Sequence, residues 1–293
     1  MPRSNARTYL QLHLVVLAWG LTAILGKLIL LPPVDVVVWR TLLAAVGFAV
    51  LAGLMGHSLR PARGRVLAML GVGVVLGLHW ILFFWSARLA TASVCLAVMP
   101  TAMLWCSLIE PLIDGSRRWR LSELLVGAVM VGAVWLIYEV EVRYWLGFSV
   151  ALGAAVLAAF FATLSKQQVA KDTHWSVIGL YQMTGACLAA LLSRPLLENG
   201  ITPSLPNSSS ALWVVVLALV CTVAAYAGFM DALRRVSVFT VNVVYNMEPV
   251  YGIILAALVF GKAEFMSVGF YFGAGIIVSV VLALPWIRRW VEK

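Results

Sequence analysis

Ten apolar stretches of about twenty residues each, separated by short polar connections, govern what this chain can become. They fall near 9–31, 34–55, 66–87, 90–113, 121–138, 145–165, 174–193, 211–230, 237–259 and 264–286. The hydrocarbon slab of a bilayer is roughly 30 Å thick and a helix rises about 1.5 Å per residue, so each stretch can cross it. No water there satisfies backbone N–H and C=O groups, which leaves the helix as the form such a segment takes. Hydrophobic residues make up 63% of the 293 residues and charged ones 11%, with a mean hydropathy of +0.99. Soluble domains run at about 45–50% and about 25%, so the excess exceeds what a water-soluble core can bury. The expectation is an all-α membrane protein with ten transmembrane helices.

Several classes of function drop out. There is no phosphate-cradling GxxxxGK[ST] loop for ATP hydrolysis, and neither a Ser/His/Asp set nor a metal-ligand cluster is legible, so the chain reads as no enzyme and as needing no cofactor. Cys95, Cys106, Cys187 and Cys221 all lie inside apolar runs without CxxC spacing and read as small packing residues. The basic start and apolar run at the N-terminus lack a small-residue cleavage site before Lys27, which favours an uncleaved first helix over a signal peptide.

Connections such as Leu31-Pro32-Pro33 and Gly261-Lys262-Ala263 are so short that consecutive helices must lie antiparallel, side by side. Lys and Arg in alternate connections are split fifteen to five, with Arg40 inside the second helix. Basic residues are retained on the cytoplasmic side, so both termini are expected there. The net charge of +9 then sets topology and meets anionic lipid headgroups. It does not call for nucleic acid. The partners expected are a small-molecule substrate and the lipid bilayer, with the chain acting as a monomer or weak homo-oligomer.

The sequence also lies over itself. Thr91-Ala92-Ser93 through Val129 matches Ser237-Val238-Phe239 through Gly275 at an offset of 146, Arg40 falls on Gln182 at 142, and Lys27 on Lys166 at 139. Each half, 1–143 and 144–293, then holds five helices. An odd number per half turns the second half over, giving two inverted five-helix repeats, an architecture common among transporters.

The residues carrying these matches are Trp19-Gly20 and Lys27 in helix 1, Arg40 in helix 2, Thr91-Ala92-Ser93-Val94 opening helix 4, Ala232-Leu233 with Val236-Ser237 before helix 9, Glu248-Pro249-Val250, and Gly273-Ala274. Along nearly its whole length the chain resembles the EamA-like ten-helix exporters of the drug/metabolite transporter superfamily, and among them the YddG type of aromatic amino acid exporter. Met103 stands where a Pro matching Pro249 would fall, and Gln182 stands where a second Arg would. The resemblance implies a secondary transporter exporting amino acids, aromatic ones among them, across a bacterial inner membrane by alternating access, with an exporter of drugs or other metabolites, or a channel, as the alternative.

A polar group in the hydrocarbon core costs several kcal/mol if left unpaired, so the few that occur are the candidates for a site. In helix 9, Asn242, Tyr245, Asn246 and Pro249 recur at spacings of three and four and share a face. Pro249 cannot donate to the carbonyl of Tyr245, which is thereby freed near mid-membrane. Glu248 sits roughly 100° round from Pro249, outside that stripe, as a proton carrier or an ion-pair partner of Arg40. In helix 3, His79, Trp80 and Phe83 form a polar-aromatic cluster suited to a substrate carboxylate or to sensing pH. Pro100 breaks helix 4 as Pro249 breaks helix 9, with Thr101 beside it, and broken helices in corresponding places of two halves point to a binding site between them. Trp19, Phe160, Tyr226 and Tyr251 are candidates for an aromatic lining. Gly71, Gly73, Gly77, Gly127, Gly132, Gly269 and Gly273 read as close helix contacts.

Overall fold

The computed structural model describes residues 3–115, 119–169, 173–198, 200–235 and 244–291, and among these it is helical without strands. In chain order come α1 (Arg3–Leu28), α2 (Pro33–Leu54) and α3 (Arg63–Leu89). A fourth crossing is built from α4 (Ala92–Val98), a 3₁₀ turn at Met99–Thr101 and α5 (Ala102–Ile113). There follow α6 (Leu121–Val140), α7 (Trp145–Val169) and α8 (Trp175–Leu197). The next crossing joins α9 (Ser208–Ala218) to α10 (Ala225–Arg235) through a π turn at Leu219–Ala224. The described part ends with α11 (Glu248–Phe260) and α12 (Val268–Val291). Among the described residues seven helical segments are long and apolar enough to span a membrane, and shorter apolar helices run over Leu124–Glu139 and Val268–Val280. The chain is thus a multi-pass, all-helical membrane protein.

Local chemistry marks the boundaries. Pro33 opens α2, where a missing N–H costs nothing. Thr91 caps α4 by accepting from the amide of Val94 at 3.1 Å, and Asn207 caps α9 by accepting from Ser210 at 2.8 Å. The continuous ninth helix expected over 237–259 is not what forms: the backbone turns at Asn246–Met247, and α11 starts afresh at Glu248 with Pro249 in its first turn. Pro249 therefore starts a helix, and it costs no mid-helix hydrogen bond.

Helices α2, α3, α7 and α8 pack as one group, and α1 lies on α11. On α3, Gly73 and Gly77 face the carbonyls of Gln182 and Ala186, so a Cβ at either place would run into the backbone of α8. This is the close approach small residues permit in membranes. Likewise a Cβ on Gly20 would lie 3.1 Å from the amide nitrogen of Gly252, where α1 crosses α11. Gly71 and Gly132, also expected at helix contacts, face open space instead. Both sit on outward surfaces, where spacing alone does not distinguish lipid from a neighbouring helix.

Candidate functional site

The bundle encloses a cavity with about 1060 Å³ of atom-free space, counting its open mouth. Trp19 and Thr22 reach it from α1, Arg40 from α2, and His79, Trp80 and Phe83 from α3. Met99 and Ala102 bound it at the 3₁₀ turn, Phe161 comes from α7, and Cys221, Thr222, Tyr226 and Phe229 come from the π turn and α10. Tyr245, Asn246 and Glu248 complete it at the break before α11. The wall is mostly apolar and aromatic with a few polar groups converging, the usual make-up of a small-molecule site.

Two buried charges stand in that wall. Arg40, 1% exposed, donates from Nε to the Thr222 hydroxyl at 2.7 Å and from Nη2 to the Cys221 carbonyl at 3.4 Å. Its guanidinium lies 3.8 Å over the Trp80 ring, a cation–π contact. Nη1 is buried without a hydrogen-bond partner. Glu248, 4% exposed, accepts from the Tyr245 hydroxyl, and its Oε2 is likewise buried and unpartnered. Among the described residues no ion pair joins Arg40 to Glu248, contrary to the direct pairing weighed from sequence. They belong to α2 and to the start of α11 and face the same space without meeting.

His79 holds its ring by an Nδ1 hydrogen bond with the Ala154 carbonyl at 2.8 Å, and Asn246 donates to the Met103 sulfur at 2.6 Å. Trp19 packs on Tyr245 and Phe229, with centroids 5.3 Å apart in each case, and Tyr226 donates to Gln182 at 2.9 Å. Pro100 and Thr101 are buried but lie outside the cavity, and the Thr101 hydroxyl bonds back to Val98 at 2.9 Å. The reason is the 3₁₀ turn: with three residues per turn, Met99 and Ala102 eclipse one another on the cavity side, and the two residues between them face away. Phe160 is 37% exposed while its neighbour Phe161 lines the cavity, and Tyr251 bonds to His13 at 2.8 Å. Pro249 too is buried outside the lining. Because the turn at Asn246–Met247 resets the helical register, Glu248 takes the place at the cavity that a continuous helix would give Pro249. Asn242 lies outside the described residues.

Toward the face opposite the chain termini, Ile24, Cys95 and Leu96 pack into a core with no exposed surface, and above it sits a polar clasp. Glu264, fully buried, accepts from Lys27 Nζ at 2.7 Å, from the Ala92 amide at 3.2 Å, and from the Ser93 amide and hydroxyl at 3.0 and 2.8 Å. It thus binds the end of α1 and the start of α4 to the α11–α12 connection. Burial pushes its carboxyl up, but Lys27 and the Ser93 donors outweigh this and hold it below the usual carboxylate value. Nearby, Asp35 accepts from Arg194 Nε at 2.7 Å and from the Ser204 amide at 3.0 Å, fastening the α8–α9 connection to α2. Sequence reading passed over Glu264, Asp35, Thr222 and the three sulfur side chains of Met99, Met103 and Cys106. The only available signal was an acid beside a helix boundary, in the case of Glu264 and Asp35.

Fold and cavity together define a multi-pass helical membrane protein with an internal cavity. The EamA-like transporter family model matches residues 145–284, so the second half of the chain carries a domain of that family, which points to transport rather than catalysis. A solved crystal structure of a protein superposes on 98% of this chain and 99% of its own with a TM-score of 0.72, at 18% identity, a likeness of fold. The comparison with curated proteins returns no match. Resemblance at the level of the YddG type is not among these findings.

Proposed function

We propose that this protein exports amino acids, aromatic ones and other small amphipathic metabolites among them, across a bacterial inner membrane by alternating access. The carrying observation is that Arg40 Nη1 and Glu248 Oε2 are each buried and unpartnered, on two residues that line one cavity. Unpaired charges away from water are costly, and a zwitterion answers both: its carboxylate takes the guanidinium, its ammonium the carboxylate. Trp19, Trp80, Phe83, Tyr226 and Tyr245 then offer rings to the substrate side chain, with His79 and Asn246 as further polar contacts.

The halves 1–143 and 144–293 are taken as the inverted repeats that rock about this site, and the family match beginning at residue 145 fits that division. With termini in the cytoplasm, the clasp at Glu264 closes the outer face, which is the arrangement of an exporter awaiting substrate from inside.

The test is flux of labelled phenylalanine, threonine and a control sugar in proteoliposomes, with and without a pH gradient. Saturable amino acid flux, lost in Arg40→Gln and in Glu248→Gln, is the expected result. Equal flux of the sugar, or flux proportional to concentration without saturation, overturns the carrier reading. Normal flux in both variants overturns the site.

A further inference from the structure

The π turn at Leu219–Ala224 has no proline or glycine within it or beside it, and it lies opposite Arg40. Such turns are rare, carry an extra residue and frequently occur at functional sites. Here the Thr222 hydroxyl bonds back five residues to the Leu217 carbonyl at 2.8 Å while accepting from Arg40 Nε at 2.7 Å. The hydroxyl proton is spent on Leu217, so its lone pair is aimed at Arg40 with no freedom to turn donor. The Cys221 carbonyl takes Nη2 at 3.4 Å. One edge of the planar guanidinium, Nε with Nη2, is thereby fully engaged by the turn, and Trp80 at 3.8 Å fixes the plane. What remains is the end of the fork, where Nη1 has no partner and Nη2 keeps a second hydrogen. An end of two parallel donors matches a carboxylate.

Building on the reading of Arg40 as the carboxylate ligand, we infer that Thr222 is a positioning residue that sets Arg40 end-on to the cavity and so makes a free carboxylate the group the carrier selects. The π turn is the backbone device that brings the Thr222 hydroxyl and the Cys221 carbonyl to the same edge. Without the hydroxyl, Arg40 keeps its charge but has one partner fewer on that edge, and its free end is no longer held at one angle.

The experiment compares phenylalanine with phenylalaninamide, which differs only at the carboxylate, in proteoliposomes of the full chain. The readings are the half-saturating concentration for phenylalanine and the inhibitory concentration for the amide. Thr222→Val should raise the half-saturating concentration for phenylalanine about tenfold, the worth of one hydrogen bond to a charged group, with the amide moving less than about twofold at that scale and maximal flux kept. Thr222→Ser, which restores the hydroxyl, should return the native preference. Should the valine variant not fold, Thr222→Ala removes the same hydroxyl without added bulk. Equal losses for both ligands, or an unchanged preference in Val and Ala variants, overturn the role of Thr222. Arg40→Gln, whose flux is expected to be lost, is compared with the native protein by equilibrium binding of labelled phenylalanine with the amide as competitor, and this separates the two readings: if it abolishes the preference while Thr222→Val does not, only this inference fails. If it leaves the preference intact, the reading of Arg40 itself fails.

Discussion

Removing the Glu264 carboxylate should open the face opposite the termini. Its two oxygens take an ammonium, two backbone amides and a hydroxyl, all between 2.7 and 3.2 Å, and nothing else bridges Lys27 to the start of α4 through one buried group among the described residues. Glu264→Ala deletes the acceptor for all four. Breaking a buried pair by removing one partner costs about 3–5 kcal/mol, and part of this is recovered because Lys27, 24% exposed, reaches water. A net weakening of about 3 kcal/mol is a shift of roughly 100-fold toward any state in which the clasp is apart. Glu264→Gln keeps an oxygen for the α4 amides and loses only the charge, so roughly tenfold is expected there. The probe is native: Cys95, fully buried just beneath the clasp and bonded to the Phe83 carbonyl at 3.4 Å. A membrane-impermeant maleimide added from that face, with labelled peptides read by mass spectrometry, should modify Cys95 faster in the order native, Gln, Ala. Buried Cys187 on α8 is the control for general loosening. An unchanged rate at Cys95 in the alanine variant, or an equal rise at Cys187, would refute the clasp as a gate.

The same carboxyl predicts a pH response. Because its pKa is held below the usual value, the stabilisation is fully present above the ordinary carboxylate pKa and is lost as pH falls through the depressed one. Cys95 labelling at the accessible face, with the rate corrected for thiolate fraction, should therefore stay flat from neutral to mildly acidic pH and rise only in stronger acid. On the other side of the bundle, Gly73→Ala places a methyl against the Gln182 carbonyl. Overpacking of this kind costs about 1–3 kcal/mol, read as a lower melting temperature in detergent, whereas Gly71→Ala, facing open space, should leave it unchanged.

Much of the helix layout was legible because a bilayer imposes length and apolarity on every crossing, and these are properties of a window rather than of single residues. The placement of Arg40, His79, Trp80, Phe83, Tyr226 and Glu248 at the cavity follows the same physics, since polar or amphipathic groups inside an apolar window have few other places to go. Facing direction was less legible. Phe160 and Phe161 differ by one position, and only the packed bundle turns Phe161 inward. Cys106 read from sequence as a small packing residue, and Glu264 only as the first residue of the last apolar stretch, because its partners Lys27 and Ser93 stand more than 170 residues away.

The three interruptions of the described crossings explain why the cavity lies where it does. A membrane helix tolerates irregular backbone only where protein or an internal cavity satisfies the freed groups, and here the 3₁₀ turn at Met99–Thr101, the π turn at Leu219–Ala224 and the turn at Asn246–Met247 all border the same space. Each also delivers something a straight helix would not: Met99 and Ala102 on one side, an acceptor pair for Arg40, and Glu248 in a reset register. Proline announces the first and accompanies the third, so both were visible as Pro100 and Pro249. The second has no proline, and its only trace in the sequence is Thr222, a residue common in any membrane helix. The break that aims the cation is thus the one that composition and spacing leave silent, and it became visible only once Arg40 was seen to end on it.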